Sequence, residues 1–260
     1  MNKNYICIEQ LLHLKIMKSY TEKFSVKSYE TDFKKRMRPF AFMNHAQNAA
    51  EKHADMLNFG YDNLIKESAV WVLSRFAVKF ISSPDWKDEV NFETWHKGTD
   101  RLFGIRDFKM TSANGEVLAL ATSLWLIINA DTRKILRVDK VLGEDYPGTD
   151  KRDALSENAE KLTMPAEAEL CRTITVSYSD IDINEHTNNA KYVEWANDCV
   201  DIEILNQYHV KEMTINFNSE SRIGEKIDLY RHTKRDEKGL TVFVEGKRGE
   251  TSVFAVKFIF

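Results

Sequence analysis

The chain has 260 residues, of which 43% are hydrophobic and 11% aromatic, enough apolar material for one sizeable core or two smaller ones. Its net charge of −3 gives no support for nucleic-acid binding, which favours a strongly basic domain. The three cysteines form no CxxC pair, which argues against a disulfide framework and predicts a reducing, cytoplasmic environment. No apolar run reaches the ~18 residues that predict a membrane span.

Residues 1–16 form an N-terminal extension whose place in the native protein the sequence leaves open. Glu9, His13 and Lys15 interrupt its apolar stretch, and no small-residue cleavage site follows. We therefore expect that this extension is not a signal peptide. Met17 directly precedes a more regular strand pattern, which suggests an upstream mis-start.

Strand-like runs dominate the first half of the chain after a single long helix. Apolar residues at helical spacing predict that helix over 40–58, and Gly60 supplies a C-terminal stop. Runs rich in β-branched and aromatic residues predict strands over 69–80, 89–96, 102–110 and 116–128. The last two runs flank Asn114-Gly115, a strong hairpin signal.

The second half repeats this order after a change in composition. Residues 143–168 are charged and poor in large apolar side chains, which predicts a linker between domains at 17–142 and 169–260. Beyond it we predict a strand over 170–178, a helix over 188–207, and strands over 211–219, 225–233, 240–246 and 251–259. The segments 24–30 and 174–180 occupy matching places, offset by 150 positions.

Both halves therefore consist of a strand, one long helix and several antiparallel strands. A helix that is apolar around much of its circumference needs a sheet wrapped around it. The pattern predicts an α+β layer architecture that occurs twice, and the two sheets can pair edge to edge.

A dense cluster of short polar side chains, DIDINEHTNNAKY at 180–192, separates the first strand of the second half from its helix. One interpretation is structural, because Asn188 or Thr187 is a natural N-cap and the remaining residues suit a turn. A calcium loop is disfavoured, because Glu185 and Lys191 stand where such a loop needs its glycine and its last glutamate. Capping and catalysis both stay open at this point.

The catalytic interpretation needs groups from more than one segment. His186, at a helix N-terminus, can accept or donate a proton, and Asn184 offers an amide to a developing oxyanion. Glu220, in the strand-like segment 213–221, can act as a base or a nucleophile. A bulge near Ser219 would change which face Glu220 occupies, so the pattern alone does not decide whether it meets His186.

The same cluster resembles a family signature. SDIDINEHTNNAKYVEW (179–195) is similar to the strand-to-helix signature of the acyl-[acyl carrier protein] thioesterases, the plant plastid enzymes and their bacterial relatives. Further segments resemble successive landmarks of the family's N-terminal half, in the right order: FSVKSYE (24–30), MNHAQNAAEKH (43–53), WVLSRFAVKF (71–80) and SLWLIINADTRK (123–134). The resemblance covers roughly residues 22–260.

The resemblance implies a tandem hotdog fold, in which two long helices are each wrapped by a curved antiparallel sheet. It implies hydrolysis of a fatty acyl thioester, with the acyl carrier protein and its phosphopantetheine-linked chain as partner and with no metal or organic cofactor. A hotdog thioesterase that acts on coenzyme A thioesters is the alternative. A homodimer is a further option, although the tandem arrangement can itself replace the dimer that single hotdog domains form.

Family roles carry over to four residues of this chain. The resemblance implies that Asp182, Asn184, His186 and Glu220 are catalytic. Ser221 stands where plant members often have a cysteine, so a thiol mechanism is not available at that position.

We expect the first half to have lost chemistry and to contribute the acyl pocket. Candidate substrate-binding residues are Met43, Ala46, Ala50, Trp71, Leu73 and Arg75, with a plain core role as the alternative. His45, His53 and His96 fall within helix or strand patterns and are interpreted as structural. The basic run KKRMR at 34–38 is a candidate docking site for an acidic carrier, with a solvated surface run as the alternative.

Overall fold

The computed structural model describes residues 18–100, 102–142, 148–237 and 239–260, so the predicted extension at 1–16 lies outside the described residues. The strands in these ranges are β1 (Tyr20–Ser25), β2 (Ala69–Phe80), β3 (Glu89–Asp100), β4 (Phe103–Ser112), β5 (Val117–Asn129), β6 (Ile135–Leu136), β7 (Glu169–Thr175), β8 (Glu212–Phe217), β9 (Lys226–Asp236), β10 (Gly239–Arg248) and β11 (Thr251–Ile259). The α-helices are α1 (Pro39–Met56), α2 (Tyr61–Leu64), α3 (Val138–Leu142), α4 (Asn189–Asn197) and α5 (Ile202–Gln207). None of the described helices combines the length and the apolar character that crossing a membrane requires.

The two halves join through one strand pair in the middle of a single sheet. Within the described ranges the strand order is β1-β3-β4-β5-β2-β8-β11-β10-β9-β7, with β6 beside β5. Strands β2 and β8 pair antiparallel from Arg75 opposite Asn216 to Lys79 opposite Glu212. The α+β architecture and the edge-to-edge pairing predicted from the sequence are confirmed.

Helix α1 packs against the first half of this sheet. Pro39 occupies its first turn, where a missing N–H costs nothing. One face carries the buried residues Phe42, Met43, Ala46, Ala49, Ala50 and Ala54. The Phe42 ring meets Phe76 and Phe80 of β2 edge to face, with centroids 6.2 and 5.5 Å apart. Each such large buried side chain contributes roughly 1.5–3 kcal/mol through removal of apolar surface from water.

The sequence pattern predicts that Gly60 stops helix α1, but the helix already ends at Met56. Asn58 takes the left-handed conformation (φ 59°) just past the helix, which asparagine tolerates better than most residues. Gly60 has φ −70° and precedes α2 instead. A Cβ at position 60 would require the exposed Asp55 side chain to move, since its Oδ1 lies 1.7 Å from where that Cβ would stand.

The single helix predicted over 188–207 is wrong, because the segment forms two helices, α4 and α5. The N–H groups of Cys199 and Val200 bond to carbonyls three residues back, as in a tightened last turn. Arg231 fixes the break, since its guanidinium donates to the Cys199 carbonyl oxygen at 2.8 Å and forms an ion pair with Asp201. The apolar periodicity continues across the break and therefore does not reveal it.

Residues 148–168, the described part of the predicted linker, form an irregular strap across the outer face of the sheet. The Ala154 N–H donates to Asp107 Oδ2, and the Leu162 N–H donates to Asn216 Oδ1, both at 2.7 Å. Asp107 faces away from α1, because side chains alternate along a strand and the preceding residue of β4 contacts that helix. The strap therefore leaves the inner face, where α1 lies, to the cavity described below.

Candidate active site

The polar cluster at 180–188 folds into a closed loop ahead of α4. Ile181 and Thr187 face each other in an antiparallel bridge, which closes the base of the loop. The Asp182 N–H donates to the His186 carbonyl oxygen at 2.9 Å, so the two ends of the loop lie side by side. This backbone pairing fixes the position from which the His186 side chain projects.

The same cluster also starts α4, as the capping interpretation predicts. The Asn188 side-chain oxygen accepts from the Ala190 N–H at 2.9 Å and from the Gln47 amide at 3.2 Å. Asn189 in turn donates to Gln47 Oε1 at 2.9 Å. The cap therefore ties the start of α4 to the middle of α1.

His186 and Glu220 meet at the end of β8. His186 Nε2 lies 3.1 Å from Glu220 Oε2. The N–H groups of Asn218 and Ser219 both bond to the Val253 carbonyl oxygen, at 2.8 and 3.0 Å, so the chain bulges directly after β8. Strand alternation does not continue through such a bulge, which is why the sequence pattern left this contact open.

The other two members of the family motif lie on the same loop. Asp182 Oδ1 accepts from the Asn184 N–H at 2.9 Å, an Asx-type turn that shapes the loop. Asn184 is exposed and lines the cavity, and within the described residues no hydrogen bond to its side-chain amide is found. Among the described residues, no group of three histidine, cysteine or acidic side chains is arranged to hold a metal ion.

Two arginines that the sequence reasoning missed converge on the His186–Glu220 pair. Arg133, from the turn after β5, forms an ion pair with Glu220 Oε1. The Arg222 guanidinium approaches His186 Nε2 to 3.4 Å. The segment SLWLIINADTRK, already a family landmark, contains Arg133, but nothing in its pattern indicates a contact with the second half.

These contacts constrain the proton on His186. Nε2 carries at most one hydrogen, so it cannot donate to Glu220 and accept from Arg222 at the same time. We assign the hydrogen to the shorter, charge-assisted contact with Glu220. The Glu220 carboxylate is then held at one oxygen by His186 and at the other by Arg133.

Ser221 is a buried clamp behind the site. Its Oγ lies 2.7 Å from Thr187 Oγ1 and 2.9 Å from the Tyr192 hydroxyl, and the Ser221 carbonyl oxygen accepts from the Thr187 N–H at 2.9 Å. Burial raises the pKa of Tyr192, so its hydroxyl stays protonated and able to donate. The clamp locks the residue after Glu220 to the residue after His186.

A cavity of about 1150 Å³ opens at this pair and extends beneath the first half of the chain. Three of the predicted substrate-binding residues, Ala50, Trp71 and Leu73, line it. Phe59 and Trp125 complete its apolar wall. The cavity thus opens at the His186–Glu220 pair, and its lining in the first half combines apolar side chains with polar ones from α1, β3 and β4.

The structure places the other three predicted substrate-binding residues away from this cavity. Met43 and Ala46 are buried in the core between α1 and the sheet and are not among the residues that line the cavity. Arg75 pairs with Asn216, whose side chain contacts the strap, so Arg75 faces outward and stacks over Phe103 at 5.6 Å. Helical and strand spacing alone does not distinguish residues that line the cavity from residues that pack in the core or face outward.

The loop at 30–38 in the first half copies the backbone of the loop at 180–188. The Asp32 N–H donates to the Arg36 carbonyl oxygen at 2.8 Å, as Asp182 does to His186. Lys35 and Glu185 both have positive φ, 68° and 60°. The equivalence predicted from the 150-residue offset therefore extends through the whole loop.

The copied loop does not carry the same chemistry. Lys34 stands in the place of Asn184 and Arg36 in the place of His186, and Arg36 forms an ion pair with Asp32 at 3.2 Å. His45, which follows on α1, contacts Glu30 at 2.8 Å and stacks on the Phe24 ring at 3.6 Å, which fits its predicted structural role. The first-half loop thus retains the turn but has Arg36 where the second-half loop has its catalytic candidate His186.

Comparison with protein families gives matches over both halves. Residues 17–146 match the acyl-ACP thioesterase N-terminal domain, and residues 163–255 match the acyl-ACP thioesterase C-terminal domain. Among solved structures, an acyl-ACP thioesterase from Bacteroides thetaiotaomicron is 28% identical with a TM-score of 0.83, covering 94% of this chain and 98% of that one. The 12:0-ACP thioesterase from Umbellularia californica is 26% identical with a TM-score of 0.83, and the coverage is 93% of each chain.

The matched curated relatives include plant proteins of greater length. The palmitoyl-acyl carrier protein thioesterase of Gossypium hirsutum is 30% identical over 77% of this chain and 52% of its own length. The oleoyl-acyl carrier protein thioesterase 2 of Arabidopsis thaliana is 28% identical over 81% of this chain and 62% of its own length. The chain therefore spans roughly half to three fifths of the first curated relatives that it matches. With both family domains matched in order, the chain belongs to the acyl-ACP thioesterase family.

Proposed function

We propose that this protein hydrolyses fatty acyl thioesters of acyl carrier protein to a free fatty acid and the carrier's thiol, which ends chain elongation. The observation that carries the proposal is the 3.1 Å contact between His186 Nε2 and Glu220 Oε2 at the mouth of the cavity. A carboxylate next to an imidazole can activate water, and the cavity behind the pair can hold an acyl chain. The membership of the family supports the same reaction.

Glu220 acts as the general base in this proposal. It takes a proton from water, whose oxygen bonds to the thioester carbonyl carbon and generates a tetrahedral oxyanion. The carbon–sulfur bond then breaks, His186 gives its Nε2 proton to the leaving thiolate, and the proton held by Glu220 replaces it on Nε2. Direct attack by Glu220 is less favoured, because His186 and Arg133 engage both carboxylate oxygens.

Asn184 and Arg133 stabilise the oxyanion in this scheme. Asn184 lines the cavity from the same loop as His186, so its amide can reach a group bound there, and Arg133 carries a positive charge at Glu220. A donor aimed at developing negative charge typically contributes a factor of about 10²–10³ in rate. Asp182 shapes the loop from which Asn184 and His186 project, so we assign it a positioning role.

The carrier docks, in our proposal, on the surface around the cavity mouth and not on the basic run at 34–38. This mouth surface comprises Tyr178, Ile183, Arg222 and Ile223; the Tyr178 and Ile183 side chains are 87% and 84% exposed. Exposed apolar groups beside arginines suit an acidic carrier with a hydrophobic rim.

The basic run at 34–38 is already bonded within the chain. Lys34 donates to the Leu205 carbonyl oxygen at 3.0 Å, and Arg38 donates to the Tyr29 carbonyl oxygen at 3.0 Å. None of its residues lines the cavity. These contacts speak against the run as the docking site and give Lys34 and Arg38 partners within the chain.

A thiol-release assay tests the proposed function. The rates with one acyl chain on acyl carrier protein and on coenzyme A are compared for the wild-type protein and for Glu220→Gln. We expect a higher kcat/KM on the carrier-bound thioester and loss of both activities in Glu220→Gln. A higher kcat/KM on the coenzyme A thioester would favour the alternative hotdog hydrolase.

A further inference from the structure

A buried arginine lines the cavity three strands away from β8, the strand that leads to Glu220. Arg106 of β4 is only 5% exposed and lines the cavity together with His96 of the neighbouring strand β3. Three inter-strand steps separate β8 from β4, which corresponds to roughly 14 Å of sheet. An acyl chain that starts at Glu220 and follows the cavity across β2 and β5 therefore reaches Arg106.

The contacts of Arg106 within the described residues are with neutral groups. Its Nη1 lies 2.9 Å from His53 Nδ1 and 3.2 Å from Thr94 Oγ1. Because a guanidinium only donates, His53 Nδ1 must accept, so His53 is neutral with its hydrogen on Nε2. Burial and the charge of Arg106 hold the pKa of His96 well below its usual value, so His96 is neutral too.

No described carboxylate forms an ion pair with Arg106. The adjacent Asp107 points to the outer face, where it lies 3.6 Å from Lys97 and accepts from the strap. Burial lowers the pKa of Arg106 to about 9, so the guanidinium still carries its charge at neutral pH. A buried charge that lacks an opposite charge is costly unless another polar group satisfies it.

The donors of Arg106 are not exhausted by these two bonds. Both use Nη1, whereas a guanidinium carries five N–H donors on three nitrogens. The side chain borders the cavity, so a group inside the cavity can reach the donors on Nη2 or Nε. The cavity therefore combines apolar walls at Ala50 and Trp71 with a cationic group at Arg106.

We propose that Arg106, supported by His53 and Thr94, is an end wall of the acyl cavity that recognises an oxygen acceptor at the distal end of the acyl chain. A chain that ends in a methyl group and reaches Arg106 offers no acceptor to the guanidinium donors that His53 and Thr94 leave unused. A chain of the same length that ends in a hydroxyl or carboxylate accepts a charge-assisted hydrogen bond instead. The inference rests on the proposed function and names the substrate class of that site.

The role of Arg106 is tested with a series of acyl thioesters that differ in chain length and in the group at the distal end of the chain. Carrier-bound acyl thioesters of increasing length are prepared with a methyl end or an ω-hydroxyl end, and kcat/KM is measured for each. We expect the kcat/KM of the wild-type protein for methyl-ended chains to fall sharply above a limiting length. At that length the ω-hydroxyl chain should be hydrolysed about tenfold to 100-fold better, the range expected for a hydrogen bond to a charged group.

Arg106→Met removes the charge while keeping a similar length, and Lys109→Met is the matched control on the opposite face of the same strand. The end preference should disappear in Arg106→Met and persist in Lys109→Met. Equal rates for both ends at every length in the wild-type protein would overturn the proposal, and that comparison needs no variant to fold. An unchanged preference in a folded Arg106→Met protein would overturn it as well.

Binding of free acids separates this proposal from the proposed function. Calorimetry compares a fatty acid with its ω-hydroxy derivative of the same length, which requires no turnover. Tighter binding of the ω-hydroxy acid, lost in Arg106→Met, supports the end wall even if no thioester is hydrolysed. Equal binding of the two acids contradicts it, whatever the thiol-release assay gives.

Discussion

The guanidinium of Arg133, in the first half of the chain, forms an ion pair with the carboxylate of Glu220 in the second half. Arg133 sits in a turn with φ 59°, which Asn129 holds by accepting from the Thr132 N–H at 2.8 Å. The candidate site is therefore assembled from both halves, although its loop motif lies entirely in the second. The first half contributes a charge at the mouth as well as the walls of the cavity.

Replacing Arg133 by methionine should lower kcat by about tenfold to 100-fold, because the Glu220 carboxylate loses a charge-assisted partner and the oxyanion a nearby cation. The measurement is steady-state thiol release, with Lys134→Met as the control on the same turn. Added guanidinium ion should restore part of the lost rate. An unchanged kcat in Arg133→Met would show that the ion pair plays no part in turnover.

Replacing Ser221 by alanine should lower the free energy of unfolding by about 1–3 kcal/mol, because the buried hydroxyls of Thr187 and Tyr192 lose their common partner. Urea denaturation measures this effect, with the exposed Ser156→Ala as control. We also expect a lower kcat, since the clamp aligns the residues after His186 and Glu220. Equal stability of the two variants would contradict the assignment of Ser221 as a clamp.

Charge reversal at Arg222 tests the docking surface. Arg222→Glu should raise KM for carrier-bound substrate by roughly tenfold relative to a small-thiol ester of the same acyl chain, because the carrier is acidic. Lys35→Glu, in the basic run at 34–38, is the control and should leave that ratio unchanged. If Lys35→Glu alters the ratio and Arg222→Glu does not, the carrier docks on the basic run instead.

The raised pKa of the Asp107 carboxyl leads us to predict that the free energy of unfolding depends on pH. Burial raises its pKa, although the Ala154 N–H and Lys97 act in the opposite direction. A carboxyl with a raised pKa binds a proton more readily in the folded state, so its contribution to stability grows as the pH falls through that pKa and is lost as the pH rises.

Asp107→Asn removes the charge and keeps an acceptor for the Ala154 N–H. We expect the stability of the wild-type protein relative to this variant to improve from neutral to mildly acidic pH, measured by urea unfolding at each pH. Parallel pH profiles for the two proteins would mean that burial of Asp107 carries no such linkage.

Much of this fold is readable from the sequence because its signals are local. Period-two and helical patterns place the strands and α1 to within a few residues. The break between α4 and α5 escapes them, because Arg231, a residue of β9, fixes it through tertiary contacts. The end of α1 likewise depends on Asn58 and not on the more obvious Gly60.

The candidate site divides in the same way. Its loop residues stand out because short polar side chains cluster there and resemble a family signature. The contact between His186 and Glu220 depends on a bulge, and the contribution of Arg133 depends on how β2 and β8 join the halves. Such long-range relationships carry no signal in one sequence without a structure.

The most direct test of the account is single-turnover hydrolysis of a carrier-bound acyl thioester by the wild-type protein and by Glu220→Gln. We predict that the glutamine variant stays folded and binds the substrate but releases thiol at least about 10³-fold more slowly, because it cannot take a proton from water. Release at the wild-type rate by a folded Glu220→Gln protein would contradict the assignment of Glu220 as the base.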